Sequence, residues 1–250
     1  MAELEGTLID YHDGSRVILE FNPKKHWYSI DGEYVPACTT ILDSIAKPAL
    51  VPWAANEGAK YYLSHAHDDM KPEDMAKGIR GAYRTSSGAA LNIGLEVHKW
   101  CEEAILWKLG RAEIPKMPER TESKNAINAF REWVKLNDVE WLTVEEKVYH
   151  RDHKYAGTLD ATAVVNDEYC VIDFKTSGAI YSAYYLQCAA YAKAIEDMRG
   201  KSVDKAYILR FDKKTGEFEA GSSIEIQENF MGFLGFLDGY RRLKDLENRK

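Results

Sequence analysis

Residues 155–178, YAGTLDATAVVNDEYCVIDFKTSG, consist of two apolar runs separated by the pair Asn166-Asp167. If that pair forms a two-residue turn, the runs fold into a β-hairpin in which Asp160 stands directly opposite Asp173. A three-residue turn would shift the pairing by one residue and separate the two carboxylates onto different faces. The sequence therefore predicts a hairpin whose open end gathers acidic side chains, on condition that the turn is short.

Two carboxylates opposed across a hairpin repel each other and require a compensating positive charge. A divalent metal with oxygen ligands is one such charge, and Lys175, two residues after Asp173 and on the same face, is a second. The alternative interpretation is that Asp160 and Asp173 cap strands or form surface salt bridges, which is the ordinary outcome for an isolated D-x-K tripeptide.

A third carboxylate is expected from the preceding strand, LTVEEKVYH, which carries Glu145 and Glu146. Neighbouring strand residues point to opposite faces, so one glutamate can face the cluster while the other faces solvent. Three carboxylates, a lysine and a divalent ion are the parts of a metal-dependent phosphodiesterase. The ion polarises the phosphate and lowers the pKa of its bound water, while the lysine orients that water or stabilises the developing charge.

Four further residues have two interpretations each. His98 lies on the apolar face of a predicted helix, one turn after Gly94, where it is either a core histidine or a ligand. Gln187 and Tyr191 share one face of the helix after the lysine strand, either as sheet contacts or as support for the site. Gly157 allows a backbone or a phosphate to approach closely, or else marks a strand-edge bulge.

The order of these motifs is more specific than any one of them. Along the chain they are G-x-x-x-H at 94–98, E at 145, G-x-x-D at 157–160, D-x-K-T at 173–176 and Q-x-x-x-Y at 187–191. This order resembles that of the PD-(D/E)XK nuclease superfamily, in particular its RecB-like, phage-type exonucleases. The resemblance covers about residues 30–200.

The resemblance implies an α/β fold with a restriction-endonuclease-like core, in which helices flank a central mixed β-sheet. It also implies one or two Mg²⁺ or Mn²⁺ ions held by His98, Asp160, Asp173 and the carbonyl of Phe174, with Lys175 as the catalytic lysine.

Three more residues receive roles from the resemblance. Gln187 and Tyr191 would support the site or touch the DNA backbone. Glu145 is preferred over Glu146 as the additional carboxylate, because its spacing to the following Val-Tyr pair fits the family better.

The implied activity is a metal-dependent DNA exonuclease that acts on DNA ends, single-stranded or resected, in phage-type recombination, repair or replication. Two alternatives remain: an endonuclease of the same superfamily, and a non-catalytic DNA-binding accessory protein. The implied partner is DNA with a free end, together with a single-strand annealing or binding protein. The candidate DNA contacts, each of which could equally be a core aromatic or a solvated polar residue, are Trp53, Arg80, Arg84, Lys99, Thr176 and Ser177.

Composition excludes several classes. The net charge of −7 argues against a uniformly basic, sequence-independent DNA coat. No C-x-x-C pair occurs, and no cysteine follows Cys188, which argues against a zinc ribbon and against the iron–sulfur cluster of some relatives. The sequence also lacks a Walker-type phosphate loop, a secretory signal and an apolar run long enough to cross a membrane. We therefore expect a cytoplasmic protein that uses no ATP.

One domain is predicted over residues 1–250, with an N-terminal β-hairpin region at 1–45, a catalytic core at 90–200 and a C-terminal hairpin and helix at 201–250. The polar segment 68–87 is expected to be a mobile loop or a short helix.

Overall fold

The computed structural model describes residues 4–25, 27–223 and 225–249. Contacts divide the chain into two compact units, Met1–Ser44 with Val97–Lys250, and Ile45–Glu96. The organisation as one domain stays a prediction. None of the described helices is long and apolar enough to cross a membrane.

In chain order the elements are β1 (Glu5–Asp10), β2 (Arg16–Asn22), β3 (Trp27–Ile30), β4 (Glu33–Val35), α1 (Cys38–Leu42), α2 (Leu50–His65), α3 (Pro72–Lys108), α4 (Thr121–Leu136), β5 (Val139–His150), β6 (Tyr155–Val165), β7 (Glu168–Lys175), α5 (Ser182–Arg199), β8 (Lys205–Phe211), β9 (Phe218–Ser223) and α6 (Ile226–Glu247).

A five-stranded sheet in the order β5-β6-β7-β8-β9 forms the centre of the larger unit. Its neighbours are antiparallel except for β7 and β8, which run parallel and are joined through α5. Phe130 of α4 stacks on Trp141 of β5, while Tyr155 of β6 donates a hydrogen bond to the carbonyl of Ala190 in α5. The predicted fold class is confirmed: the structure is α/β, with a mixed sheet flanked by helices, consistent with a restriction-endonuclease-like core.

At the end of β7, one face of the strand packs in the apolar core and the other face carries charged side chains. Phe174 is 1% exposed and meets the rings of Phe130 and Phe211 at centroid distances of 5.6 and 5.7 Å. Asp173 and Lys175 flank Phe174 and point to the opposite face of the sheet, because strand side chains alternate in direction. Burial of the phenylalanine therefore fixes the direction of both charged neighbours.

The turn between β6 and β7 has two residues, as the condition on the hairpin requires. Asn166 and Asp167 have φ angles of 50° and 69°, which are typical of a type I′ turn. The Asn166 carboxamide also bonds to the segment before β5, accepting the Asp138 N–H at 3.0 Å and donating to Asn137 Oδ1 at 3.0 Å. The turn is therefore stabilised both by its own backbone geometry and by hydrogen bonds to the segment before β5.

Replacing Asp167 with glycine should raise the free energy of unfolding by about 0.5 kcal/mol, because glycine adopts a positive φ without the steric cost of a side chain. Asp167→Ala is the matched control and should lower it, since alanine meets the same conflict without a polar side chain. Urea titration measures both variants. A glycine variant less stable than the wild type would contradict this account of the turn.

A second antiparallel sheet, β1-β2-β3-β4, is tied to the end of the central sheet by Arg151 in the β5–β6 turn. The Arg151 guanidinium donates to Asp197 of α5 at 2.8 Å and to Asp13 of the β1–β2 turn at 2.7 Å. Its carbon also lies 3.9 Å from the ring centroid of Tyr11. Burial alone would raise the pKa of Asp197, but hydrogen bonds from the Arg151 side chain and backbone bring it below its usual value.

Asp197→Asn should lower the free energy of unfolding at pH 7 by about 1–3 kcal/mol, because it weakens a charged hydrogen-bonded pair. Since the pKa of Asp197 is lowered on folding, its stabilisation is present above the unfolded pKa of about 4 and is lost as the pH falls below it. The variant should therefore lose less stability than the wild type on acidification. Urea titrations at pH 7 and pH 3 measure the difference, and parallel losses would contradict the assignment.

The smaller unit, Ile45–Glu96, contains α2 and the first part of α3. Here the expectation of a loop or short helix at 68–87 is wrong, because α3 runs without interruption from Pro72 to Lys108. Pro72 suits a first helical position, and Glu73 and Asp74 in the first turn favour a helix N-terminus. The polar composition of 68–87 was the ground for expecting a loop, but the helix continues through the segment and through its glycines.

Candidate functional site

Asp160 and Asp173 stand opposite each other where the β6–β7 ladder ends. The last paired residues are Ala161 and Ile172, and the two aspartates occupy the next position on each strand. At that point the Phe174 N–H donates a hydrogen bond of 2.6 Å to Asp160 Oδ2. A carboxylate has thus taken the place of a backbone acceptor, which holds Asp160 against the adjoining strand.

Lys175 forms an ion pair with Asp173 Oδ2. Asp173 is 3% exposed, and burial, assisted by the charge of Asp160, raises its pKa to about 6 although Lys175 acts in the opposite direction. Burial alone would lower the pKa of Lys175, but Asp173 and Asp160 raise it above its usual value. Near neutral pH the pair is therefore a carboxylate and an ammonium.

His98 of α3 lies on the other side of Asp160, with 3.3 Å between Nδ1 and Oδ1. Its ring edge meets Phe174 at a centroid distance of 6.1 Å. Burial acts to lower the pKa of His98, but the charge of Asp160 raises it overall. Conversely, burial acts to raise the pKa of Asp160, while His98, Lys175 and the Phe174 N–H bring it below its usual value. The aspartate is thus held ionised by the groups around it.

Gln187 of α5 connects the second aspartate to the helix. Its Nε2 donates to Asp173 Oδ1 at 3.3 Å and to the Tyr191 hydroxyl at 3.0 Å. A side chain added at Gly157 would place its Cβ 2.5 Å from Cε1 of Tyr191, so the glycine accommodates the tyrosine ring. Gly157 was expected to allow close approach of a backbone or a phosphate, or to mark a bulge, but the Tyr191 ring fills the space beside it.

Glu145 falls opposite Asp160 in the β5–β6 register, between the pairs Val144–Ala161 and Glu146–Leu159. Its φ of 49° is unusual for a non-glycine residue and interrupts the ladder at this position. Although its side chain keeps contact with solvent, burial among neighbours and the charges of Asp160 and Glu102 raise its pKa to about 7. Glu146 lies elsewhere, accepting two hydrogen bonds from Arg199.

Glu102 is a neighbour of this cluster that was not among the predicted site residues. It follows His98 by one helical turn on α3, and its negative charge acts on Glu145. Its spacing from His98 could have indicated it, since residues four apart share a helix face. A single glutamate on a helix, however, usually serves only solubility.

The six candidate DNA contacts are spread over the two units. Thr176 and Ser177 directly follow Lys175, and Lys99 follows His98 with its side chain 74% exposed. The other three lie in the smaller unit: Trp53 is partly buried on α2, while Arg80 and Arg84 are exposed on α3. Arg84 packs on the ring of Tyr83, 5.6 Å from its centroid.

The donor atoms of the site suit a divalent cation. One buried and one largely buried carboxylate converge with an imidazole, and oxygen with nitrogen ligands is a set that Mg²⁺ or Mn²⁺ accepts. Within residues 4–25, 27–223 and 225–249, no group of three or more His, Cys, Asp and Glu side chains is arranged as a complete metal site. In this arrangement Lys175 and His98 offset the charge of the aspartates.

No protein-family model matches the chain, and no curated protein matches it significantly. Among solved structures, the alkaline exonuclease LHK-Exo from Laribacter hongkongensis is 16% identical over 59% of this chain and 82% of its own, with a TM-score of 0.30. LHK-Exo in complex with dAMP is 14% identical over 78% of this chain and 96% of its own, with a TM-score of 0.32. SSO0001 is 15% identical over 78% of this chain and 83% of its own, with a TM-score of 0.24. Likeness at this level does not indicate an activity for this chain.

Gly157→Ala should lower the free energy of unfolding by about 1–3 kcal/mol, because the added methyl group overlaps the Tyr191 ring. Gly239→Ala on α6 is a suitable control, since an added Cβ there meets nothing within 4 Å. Urea titration compares the two variants. Equal stability of Gly157→Ala and the wild type would show that Tyr191 moves aside freely.

Proposed function

We propose that this protein is a divalent-metal-dependent deoxyribonuclease that hydrolyses phosphodiester bonds at DNA ends. The supporting observation is a partly buried cluster to which four elements, α3, β6, β7 and α5, contribute polar side chains linked by pairwise contacts: His98, Asp160, Asp173, Lys175 and Gln187. Strand-capping aspartates would not need a largely buried lysine, a histidine and a glutamine directed at them.

Asp160, Asp173 and His98 would hold the ion, with the carbonyl of Phe174 as a further ligand. When bound, Mg²⁺ or Mn²⁺ supplies charge to polarise the phosphate and lowers the pKa of an attacking water. The carboxylates are already ionised near neutral pH, because the pKa of Asp173 is about 6 and that of Asp160 is lower than usual. Cation binding at that pH therefore needs little prior loss of protons from them.

Lys175 would act on the reacting groups. Its ammonium stays protonated, since the two aspartates raise its pKa, so it donates hydrogen bonds and does not accept a proton. It can orient the attacking water and stabilise the charge that develops on the phosphate oxygens. Glu145, with a pKa of about 7, is suited to exchange a proton with water at the edge of the site.

Gln187 and Tyr191 would act as positioning residues. The carboxamide fixes one oxygen of Asp173, and the Tyr191 hydroxyl fixes the carboxamide. The six DNA contacts are part of the same proposal: Thr176, Ser177 and Lys99 would lie beside the phosphate. Trp53, Arg80 and Arg84 of the smaller unit would also contact DNA.

Asp173→Asn and Lys175→Met should each reduce metal-dependent DNA cleavage by at least about a hundredfold, because each removes a charge used in the transition state. Glu168→Gln, on the same strand but at its other end, is the matched control and should cleave like the wild type. The assay uses end-labelled single strands and duplexes with Mg²⁺, Mn²⁺ or EDTA, beside a covalently closed circle.

Circular dichroism should first establish that both variants fold. Shortening of the linear DNA with an intact circle supports the exonuclease, whereas cutting of the circle identifies an endonuclease. Cleavage retained by a folded Asp173→Asn or Lys175→Met protein contradicts the site. DNA binding without cleavage under every condition would leave an accessory binding protein.

A further inference from the structure

Three tyrosines follow Lys175 at the start of α5, and they are used differently. Tyr185 packs inward, since a Cβ added at Gly221 of β9 would lie 2.8 Å from its hydroxyl oxygen. Tyr184 faces the lysine, whose Nζ is 4.9 Å from its ring centroid. Tyr181 meets Tyr184 edge to face, with centroids 5.6 Å apart and planes at 74°, and is itself 52% exposed.

The segment that carries Tyr181 is held by the sheet beneath it. The Ser177 hydroxyl donates to the Ala179 carbonyl at 2.8 Å, and Arg210 of β8 donates to the Ser177 carbonyl at 3.4 Å. Ile180 lies against β9, because its Cδ1 would be 3.0 Å from a Cβ at Gly221. An anchored loop therefore presents the Tyr181 ring to solvent.

A single exposed aromatic side chain is common on protein surfaces and by itself indicates nothing. Here, however, the exposed ring belongs to a continuous series that leads from the Lys175 ammonium through Tyr184 to Tyr181. Neither phenol hydroxyl forms a hydrogen bond within the described part of the chain. Packing thus accounts for Tyr185 but leaves the outer ring of the pair without a structural role.

We infer that Tyr181 and Tyr184 form a stacking platform for a nucleobase beside the phosphate that Lys175 serves, and that the substrate is therefore single-stranded DNA. Every base has a π-face, and stacking on an aromatic side chain is a sequence-independent way to hold a single strand. Inside a duplex both faces of a base are already stacked, and only the outer face of the terminal pair is free, so an internal base can occupy the platform only when it is unpaired. This inference rests on the proposed nuclease function.

The first test compares kcat/KM for cleavage of a single-stranded oligonucleotide and of a blunt duplex with the same sequence. Tyr181→Ala should lower the value about tenfold on the single strand, within the range expected for one stacked base, and less than about twofold on the duplex. Tyr181→Phe keeps the stacking ring and should match the wild type. Phe236→Ala, which removes a ring 36% exposed on α6, is the control and should change neither value.

A binding experiment separates stacking from a structural effect. Fluorescence anisotropy in EDTA measures the affinity for oligonucleotides with one abasic site at successive positions from the end. The wild type should lose about tenfold in affinity at one position, and Tyr181→Ala should show no further loss there.

Equal losses on single strand and duplex, or a Tyr181→Ala effect that does not depend on the base, would overturn the platform. Failure of the wild type to cleave any DNA with Mg²⁺ or Mn²⁺ would overturn the proposed function instead. The anisotropy series would then still decide whether Tyr181 stacks on a base.

Discussion

Repulsion between Asp160 and Asp173 is the constraint on which the rest of the site depends. Two carboxylates at opposing hairpin positions and with little solvent around them are unfavourable unless each is compensated. The compensation comes from different directions: the Phe174 N–H and His98 act on Asp160, while Lys175 and Gln187 act on Asp173.

These partners also constrain the packing of uncharged parts of the fold. Gln187 can reach Asp173 only if α5 lies close to the sheet. The Tyr191 ring of α5 fits against β6 at that distance because Gly157 has no side chain. On the opposite face, the packing of Phe174 against Phe130 determines where its N–H points. The electrostatics and the packing of the core thus depend on the same few residues.

The sequence was most informative where structure is local. A two-residue turn predicts the register of β6 and β7, because strand pairing repeats every two residues from the turn, and the fold class follows from the order of elements. The position of Glu145 relative to Asp160 depends on an irregularity in β5 near Leu142 and on a positive φ, neither of which has a sequence signal. The helix around His98 was expected, but the first part of α3 was missed because its polar composition gives no clear apolar face.

The route of the chain from β7 through α5 to β8 also bears on the order in which the molecule assembles. The β6–β7 hairpin is local and closes a short loop, whereas the parallel pairing of β7 with β8 must wait for α5 to form and dock. The hairpin brings the two aspartates together with Lys175 and the Phe174 N–H, which offset part of their repulsion, before Gln187 of α5 can reach Asp173. We expect the docking of α5 to complete the hydrogen bonds of Asp173, which makes the site one of the last regions of the protein to become native.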